Sequence, residues 1–487
     1  MTSTEPRREP GRWARLVALG RLGQGGAGRH VAQLGGGTVV VMIVGVVAQL
    51  VIGVIYSDED YGVFANLVSF ATVVAMLATF RLEMAIPLAD DVEEAEDLAR
   101  LALALASALS LVLIPLALVL TLAGDSIPVP FRVSVQVAPF VVWASAGFAV
   151  LRGHLSRRQQ FRQMSDANVV GSVAMAGAQI GLGRAGFLAS GLGLGYGLGR
   201  LLSCGMMLRA SGLKLRGPVR YGLLRRWSHI PTWTLVPAML NALTVGGVAL
   251  VMTALYGVGF AGQFGFVQRL LSVPVALLGQ AVASVFYTRF AAMHRAEQDT
   301  SHHMVRLARV LLWIALVIFM PITLLGREAF VLAWPDHKWE TAGYISGILA
   351  PWLMVNFASS PLSGYATVKN EVRRLFALAW IEAGLRFPAL ALGLVIGGPM
   401  LGVQVYSLMG LLICLYWIIW VIRLSGASTR TAWGVVAWPL LLIVAAWGFS
   451  QVGRDALGMT AYVACSLAAS AAAAVLGGVG VLRALRA

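Results

Sequence analysis

Charge is what this chain has least of: 12% of its 487 residues are Asp, Glu, Lys or Arg, about half the roughly 25% of a soluble globular domain. With 58% hydrophobic residues and a mean hydropathy of +0.79, water is excluded as its main solvent. Acidic residues are scarcer than basic ones, 22 against 37, leaving a formal net charge of +15. Such a surplus ordinarily raises nucleic acid as a partner. Here the charges sit in short loops between apolar stretches, so no nucleic-acid partner is expected and a membrane protein with a basic inner side is. Only three cysteines occur, Cys204, Cys414 and Cys465, each inside an apolar run and without metal-ligand spacing. They read as small buried residues, and neither a disulfide framework, a metal site nor a cofactor is expected. Long polar loops are also missing, so no soluble catalytic domain is expected and the chain does not read as an enzyme.

A membrane-spanning helix needs about 20 mostly apolar residues, and in lipid the backbone must satisfy its own hydrogen bonds. Read on that basis, the chain is an all-α integral membrane protein with about fourteen spans. They fall near 34–56, 62–80, 101–123, 133–151, 167–183, 186–208, 231–256, 262–287, 306–326, 341–366, 375–396, 399–422, 432–450 and 459–482. The expected organisation is a basic tail over 1–33, a first lobe of six spans over 34–208 and a basic linker over 209–229. A second lobe of six spans follows over 230–423, then a C-terminal helix pair over 424–487. The tail, rich in arginine and amphipathic between Trp13 and Leu22, reads as cytoplasmic and precedes a signal-anchor helix without a cleavage site.

Charge placement checks this map, because inner loops are enriched in Lys and Arg. With the N-terminus inside, the inner segments hold about 29 of the 37 basic residues and the outer loops about five. The inner set includes Arg152, Arg157, Arg158 and Arg162, then Lys214, Arg216, Arg220, Arg225 and Arg226. The outer set is Arg132, Arg184, Arg327, Lys338 and Arg454. A miscounted helix would invert the bias downstream, and it never inverts. A short internal repeat supports two related lobes: Asp60-Tyr61-Gly62-Val63-Phe64 opens the second span, and Ala261-Gly262-Gln263-Phe264 opens the eighth, 200 residues later.

Two formal GxGxxG matches, at Gly23–Gly28 and Gly181–Gly186, follow no strand and lack the downstream acidic residue of a dinucleotide site. They read as a flexible tail and a turn. Gly191, Gly195 and Gly199 form a small-residue stripe that reads as helix packing. His302-His303 reads as solvated surface. Prolines in or beside spans, among them Pro87, Pro231, Pro274, Pro321 and Pro351, loosen helices, in moving transporters and static bundles alike.

Ionisable residues inside spans carry more information, because a charge near the bilayer centre costs a few kcal/mol and normally faces a cavity or a partner. Arg200, Arg269 and Arg386 fall within spans, and Glu382 stands four residues before Arg386 on one helix face. Arg81 and Glu83 close the second span at the inner edge. Snorkelling to the interface or a structural ion pair is the alternative for each. Three mid-span arginines against one intramembrane carboxylate, Glu382, leave a positive surplus that suits an anionic ligand, since arginine grips phosphate in a bidentate way.

Three blocks carry a resemblance. Asp60-Tyr61-Gly62-Val63-Phe64 with Arg81-Leu82-Glu83-Met84-Ala85-Ile86-Pro87-Leu88 resembles the second-span signature of bacterial polysaccharide flippases. These are the O-antigen and exopolysaccharide members of the multidrug/oligosaccharidyl-lipid/polysaccharide (MOP) exporter superfamily. Leu155-Ser156-Arg157-Arg158-Gln159-Gln160-Phe161 resembles that family's basic loop after the fourth span. Gly262 to Pro274, continuing from Gly279 to Tyr287, resembles its eighth-span block. The resemblance implies a two-lobed bundle in the bacterial plasma membrane, with both termini cytoplasmic. Its implied cargo is a lipid-linked oligosaccharide carried to the outer leaflet, with the headgroup in a cationic cavity and the polyprenyl tail in lipid. Arg200, Arg269 and Arg386 are the expected substrate-binding residues, and Glu83, Glu382 and Arg81 the expected coupling or gating groups. Polysaccharide polymerases or other assembly proteins are the implied partners. A peptidoglycan-precursor flippase, a cation-coupled drug exporter and, in another class, a membrane polymerase or ligase remain as alternatives.

Overall fold

The computed structural model describes residues 26–122, 129–215, 217–295, 298–369 and 371–486. The expected tail up to residue 25, including the stretch from Trp13 to Leu22, lies outside them, as does Arg216. The described residues are helical with no strand. The first six long helices are α1 (Gly26–Ile55), α2 (Asp58–Thr79), α3 (Val92–Leu122), α4 (Val129–Arg157), α5 (Phe161–Arg184) and α6 (Leu188–Ser211). A short helix α7 (Gly222–Arg226) lies in the linker. The second set runs α8 (His229–Ala242), a π turn (Leu243–Gly247), α9 (Val248–Tyr256), α10 (Val258–Arg295), α11 (Ser301–Ala333), α12 (Glu340–Val368) and α13 (Val372–Leu424). The final pair is α14 (Thr429–Leu457) and α15 (Met459–Arg486). Eight helices among the described residues are long and apolar enough to cross a membrane. The boundary expected between the eleventh and twelfth spans falls inside α13, where Gly397 and Gly398 leave helical geometry and Gly398 takes φ 82°. Only glycine enters that region freely, so the pair breaks α13 into two helices, the eleventh and twelfth spans expected from the sequence.

Helices α1 to α6 pack as one lobe and α8 to α13 as a second, with α14 and α15 laid against α11. Within the first lobe the glycine stripe lets α6 approach α5 closely: a Cβ at Gly199 would stand 2.6 Å from the carbonyl oxygen of Gly171. The connections between helices gather at two ends. At the basic end the linker is clasped to the acidic start of α3. Arg220 pairs with Glu93 at 3.1 Å and Asp97 at 3.0 Å, and Arg226 with Asp90 at 2.6 Å and Glu94 at 3.0 Å. Trp227 Nε1 donates to Glu94 Oε1 at 3.1 Å. The linker is therefore fastened to the first lobe as far as Trp227. Replacing Arg220 and Arg226 together by alanine is expected to lower stability by about 1–2 kcal/mol, more than exposed pairs normally contribute, because Asp97 and Glu94 are buried and lose charged partners. Thermal unfolding checks this, and an unchanged melting temperature contradicts it.

The lobes meet at the opposite end, along α2 and α10. The short repeat recognisable in the sequence is this contact. A Cβ at Gly62 would stand 2.0 Å from Val258 O, and one at Gly262 would stand 1.8 Å from Asp58 O. Shifting each number by 200 exchanges the two halves, so the crossing is reciprocal, as in a two-fold interface. Nearby, Gln263 Nε2 donates to Asp58 Oδ2 at 3.2 Å and to Lys338 O at 2.6 Å. Trp339 Nε1 donates to Gly53 O at 2.7 Å while its ring stacks on Phe266 at 4.0 Å. These bonds tie α1 and α2 to the second lobe and seal this end.

Arg327 and Arg454, expected in outer loops, sit in helices α11 and α14, which run on past their apolar stretches. Carboxylates on neighbouring helices answer their charge: Arg327 pairs with Glu340 of α12, and Arg454 with Glu328 of α11 at 2.6 Å.

Candidate functional site

Beneath the glycine crossing the two lobes enclose a cavity of about 1020 Å³. It runs along α2 from Tyr61 to Met76 and is completed by α6, α8, α10, α12 and α13. That volume is at the upper end of about 300–1,000 Å³ for small-molecule sites, so a headgroup of several rings fits. Arg200, Arg269, Arg386 and Glu382 all line it. Four residues that the sequence shows only as charges within three spans thus share one chamber, with three positive groups and one negative.

Their environments differ. Arg386 is 2% exposed, and its Nη1 donates to Glu382 Oε1 at 2.8 Å. Its guanidinium packs against two rings that meet edge to face, 4.2 Å from that of Trp352 and 4.0 Å from that of Tyr406. Two cation–π contacts and one ion pair account for a buried cation. Arg200 sits 4.2 Å over Phe148 and reaches Tyr196 Oη at 3.3 Å. Arg269 lies 5.4 Å over Phe64. Neither Arg200 nor Arg269 has a carboxylate within ion-pair distance among the described residues. The Glu382–Arg386 pair is neutral as a unit, so the unbalanced charge of the chamber resides on Arg200 and Arg269, on α6 of one lobe and α10 of the other.

Alanine at Glu382 is expected to reduce stability by about 2 kcal/mol, below the roughly 3–5 kcal/mol for breaking a fully buried pair, because both ring contacts remain. Methionine at Arg386, which removes the buried charge itself, is expected to lose less. Thermal unfolding of the two variants in parallel checks the order.

Arg81 and Glu83 are placed elsewhere. They pair at 3.4 Å in the turn between α2 and α3, where Thr79 Oγ1 donates to Glu83 Oε2 at 2.7 Å. Phe80 and Arg81 both take positive φ there, so the chain turns sharply out of α2. The structure does not bring this pair into the cavity. Asn241 and Asn356, which do line it, were not singled out by sequence. Amides inside apolar runs are the signal that finds them, since a polar side chain at membrane depth calls for a partner. No group of three or more His, Cys, Asp or Glu able to hold a metal occurs among the described residues.

Solved structures share this fold. One titled as the lipid II flippase MurJ in an inward closed conformation has a TM-score of 0.72 at 12% identity. The match covers 93% of this chain and 99% of that one. An inward-facing multidrug resistance MATE family transporter matches at TM-score 0.56 and 14% identity, over 79% of this chain and 94% of that one. A MOP superfamily transporter from Pyrococcus furiosus, whose title describes a binding pocket of reverse polarity, matches at TM-score 0.56 and 15% identity, covering 84% and 98%. These identities show the fold alone. No curated protein matches the chain by sequence. Residues 51–342 match the model described as polysaccharide biosynthesis protein, and the chain belongs to that family.

Proposed function

We propose that this protein is an alternating-access flippase that moves a polyprenyl-diphosphate-linked oligosaccharide from the inner to the outer leaflet for surface polysaccharide biosynthesis. One observation carries the reading: two arginines without carboxylate partners face a chamber between two lobes. A diphosphate supplies the missing negative charge, and bidentate bonding to guanidinium holds it. Family membership supports a glycan as the rest of the headgroup. In this reading Arg200 and Arg269 bind the diphosphate, while Arg386 supports Glu382. Rocking of the lobes, which parts the sealed end as the opposite end closes, exposes the chamber to each side in turn. Binding that differs between the two states is what drives such a shift.

The reading places the protein in the bacterial plasma membrane with both termini cytoplasmic, beside the polymerases and assembly proteins that use its product. It does so without catalysis by this chain. Glu382 and Glu83 are the carboxylates proposed to couple transport to H⁺ or Na⁺. Unchanged transport and ion dependence in both Glu382→Gln and Glu83→Gln would remove them from that role. The reading is tested by depleting the protein, then extracting, sizing and testing the sidedness of polyprenyl-linked glycans. Build-up of a lipid-linked oligosaccharide facing the cytoplasm is expected. Build-up of peptidoglycan precursor instead assigns the sister activity, and loss of long outer polymer alone, with intermediates unchanged, moves the fault to a step after translocation.

A further inference from the structure

The chamber is polarised, and this bears on which sugar it holds. On the C-terminal lobe, Asn241 of α8, Asn356 of α12 and Glu382 of α13 face it. The Asn241 side chain has no hydrogen-bond partner among the described residues. The Asn356 amide nitrogen likewise has none, its oxygen receiving only a thiol contact from Cys414 at 3.8 Å. Glu382 keeps its second oxygen free: Arg386 binds only Oε1, and the side chain is 31% exposed. Arg386 is 2% exposed and packed against two rings, so its wall meets a ligand chiefly through Glu382. What this wall presents is therefore two amides and one carboxylate with unused hydrogen-bonding capacity, beside the Ser360 hydroxyl of α12. Amides offer donors and acceptors together, and an ionised carboxylate only accepts. Sugar hydroxyls satisfy all three groups. A second carboxylate satisfies the amides but meets the free oxygen of Glu382 as a like charge, with the positive charge of Arg200 and Arg269 already answered by the diphosphate.

We infer that Asn241, Asn356 and Glu382 form a hydroxyl-recognising subsite that accepts a neutral sugar and rejects a uronic acid at the position nearest the diphosphate. The inference rests on the flippase reading, which supplies the diphosphate at Arg200 and Arg269. It assigns the two ends of the headgroup to opposite walls: phosphate toward α6 and α10, first sugar toward α8, α12 and the first half of α13.

The test is equilibrium binding to the purified full-length protein, by native mass spectrometry, of three probes. They are undecaprenyl diphosphate, the same lipid carrying one neutral hexose, and the same lipid carrying one hexuronic acid. The hexosyl lipid is expected to bind about tenfold tighter than the bare lipid, the worth of one or two net hydrogen bonds. Asn241→Ala combined with Asn356→Ala is expected to abolish that gain while leaving the bare lipid unaffected. The uronyl lipid is expected to bind about tenfold more weakly than the hexosyl lipid, and Glu382→Gln to erase the difference. Should Glu382→Gln fail to fold because Arg386 is left uncompensated, the asparagine variant and the wild-type ranking carry the test. Equal binding of bare and hexosyl lipid, or a uronyl lipid that binds as well as the hexosyl one, overturns the subsite while the bare lipid still binds through its diphosphate. Failure of the bare lipid to bind at all overturns the flippase reading, and the subsite with it.

Discussion

Leucine in place of Gly262 is expected to push the lobes apart at the sealed end and abolish substrate movement. Even the first carbon of a side chain there would stand 1.8 Å from a backbone carbonyl oxygen, Asp58 O, and 2.8 Å from the backbone nitrogen of Gly62. Backbone cannot swing aside as a long side chain can, and overpacking of this kind typically costs about 1–3 kcal/mol or more. That energy falls only on the state in which α2 and α10 cross, so it shifts the population toward the state in which they part. Spin labels at Glu59 and Asp336, exposed on the first and second lobes respectively, report the distance. A wider separation with transport reduced at least tenfold is expected, a change that needs only about 1.4 kcal/mol. Because the crossing is reciprocal, Gly62→Leu should act in the same direction. An unchanged distance and full transport in both variants would show that the crossing is not the closure.

Alanine at Arg200 and Arg269 together is expected to reduce affinity for a diphosphate-bearing lipid by about a hundredfold or more, from roughly 1.5–3 kcal/mol for each charged hydrogen-bonding group. Stability should move the other way. Neither guanidinium has a carboxylate partner among the described residues, so removing two uncompensated charges from the chamber relieves desolvation and mutual repulsion, and the melting temperature is expected to hold or rise. A structural role would give the opposite pattern, with a lowered melting temperature and unchanged affinity. Lysine at both positions is expected to restore part of the binding, since it keeps the charge but loses the planar fork.

Much of the fold was legible because lipid narrows the choice. Apolar length set the number of crossings, and the basic residues set the phase of the loops without reference to packing. The break at Gly397 and Gly398 was readable as a span boundary, and two helices meet there. The match between Gly62 and Gly262 was readable as a repeat, but its meaning as the contact between lobes came only from the crossing geometry. The site was legible in composition and not in arrangement. Arg200, Arg269, Arg386 and Glu382 stood out because charges are rare within spans. Which of them face a ligand depends on helix rotation and on neighbours far away in sequence. Arg386 is withdrawn behind Trp352 and Tyr406, 34 residues before it and 20 after it in the chain. Arg81 and Glu83, equally conspicuous as charges at a span end, are used by the turn they sit in. Asn241 and Asn356 escaped notice because a reading built on full charges passes over neutral amides.

Translocation itself is the most direct measurement. The purified protein is reconstituted into vesicles whose inner leaflet carries a fluorescent polyprenyl-diphosphate oligosaccharide, and the fraction reaching the outer leaflet is followed by an external quencher. Transfer by wild-type protein that collapses in the Arg200→Ala, Arg269→Ala double variant is the predicted result. Transfer no faster than in protein-free vesicles, or at equal rates in wild type and double variant, would contradict the account.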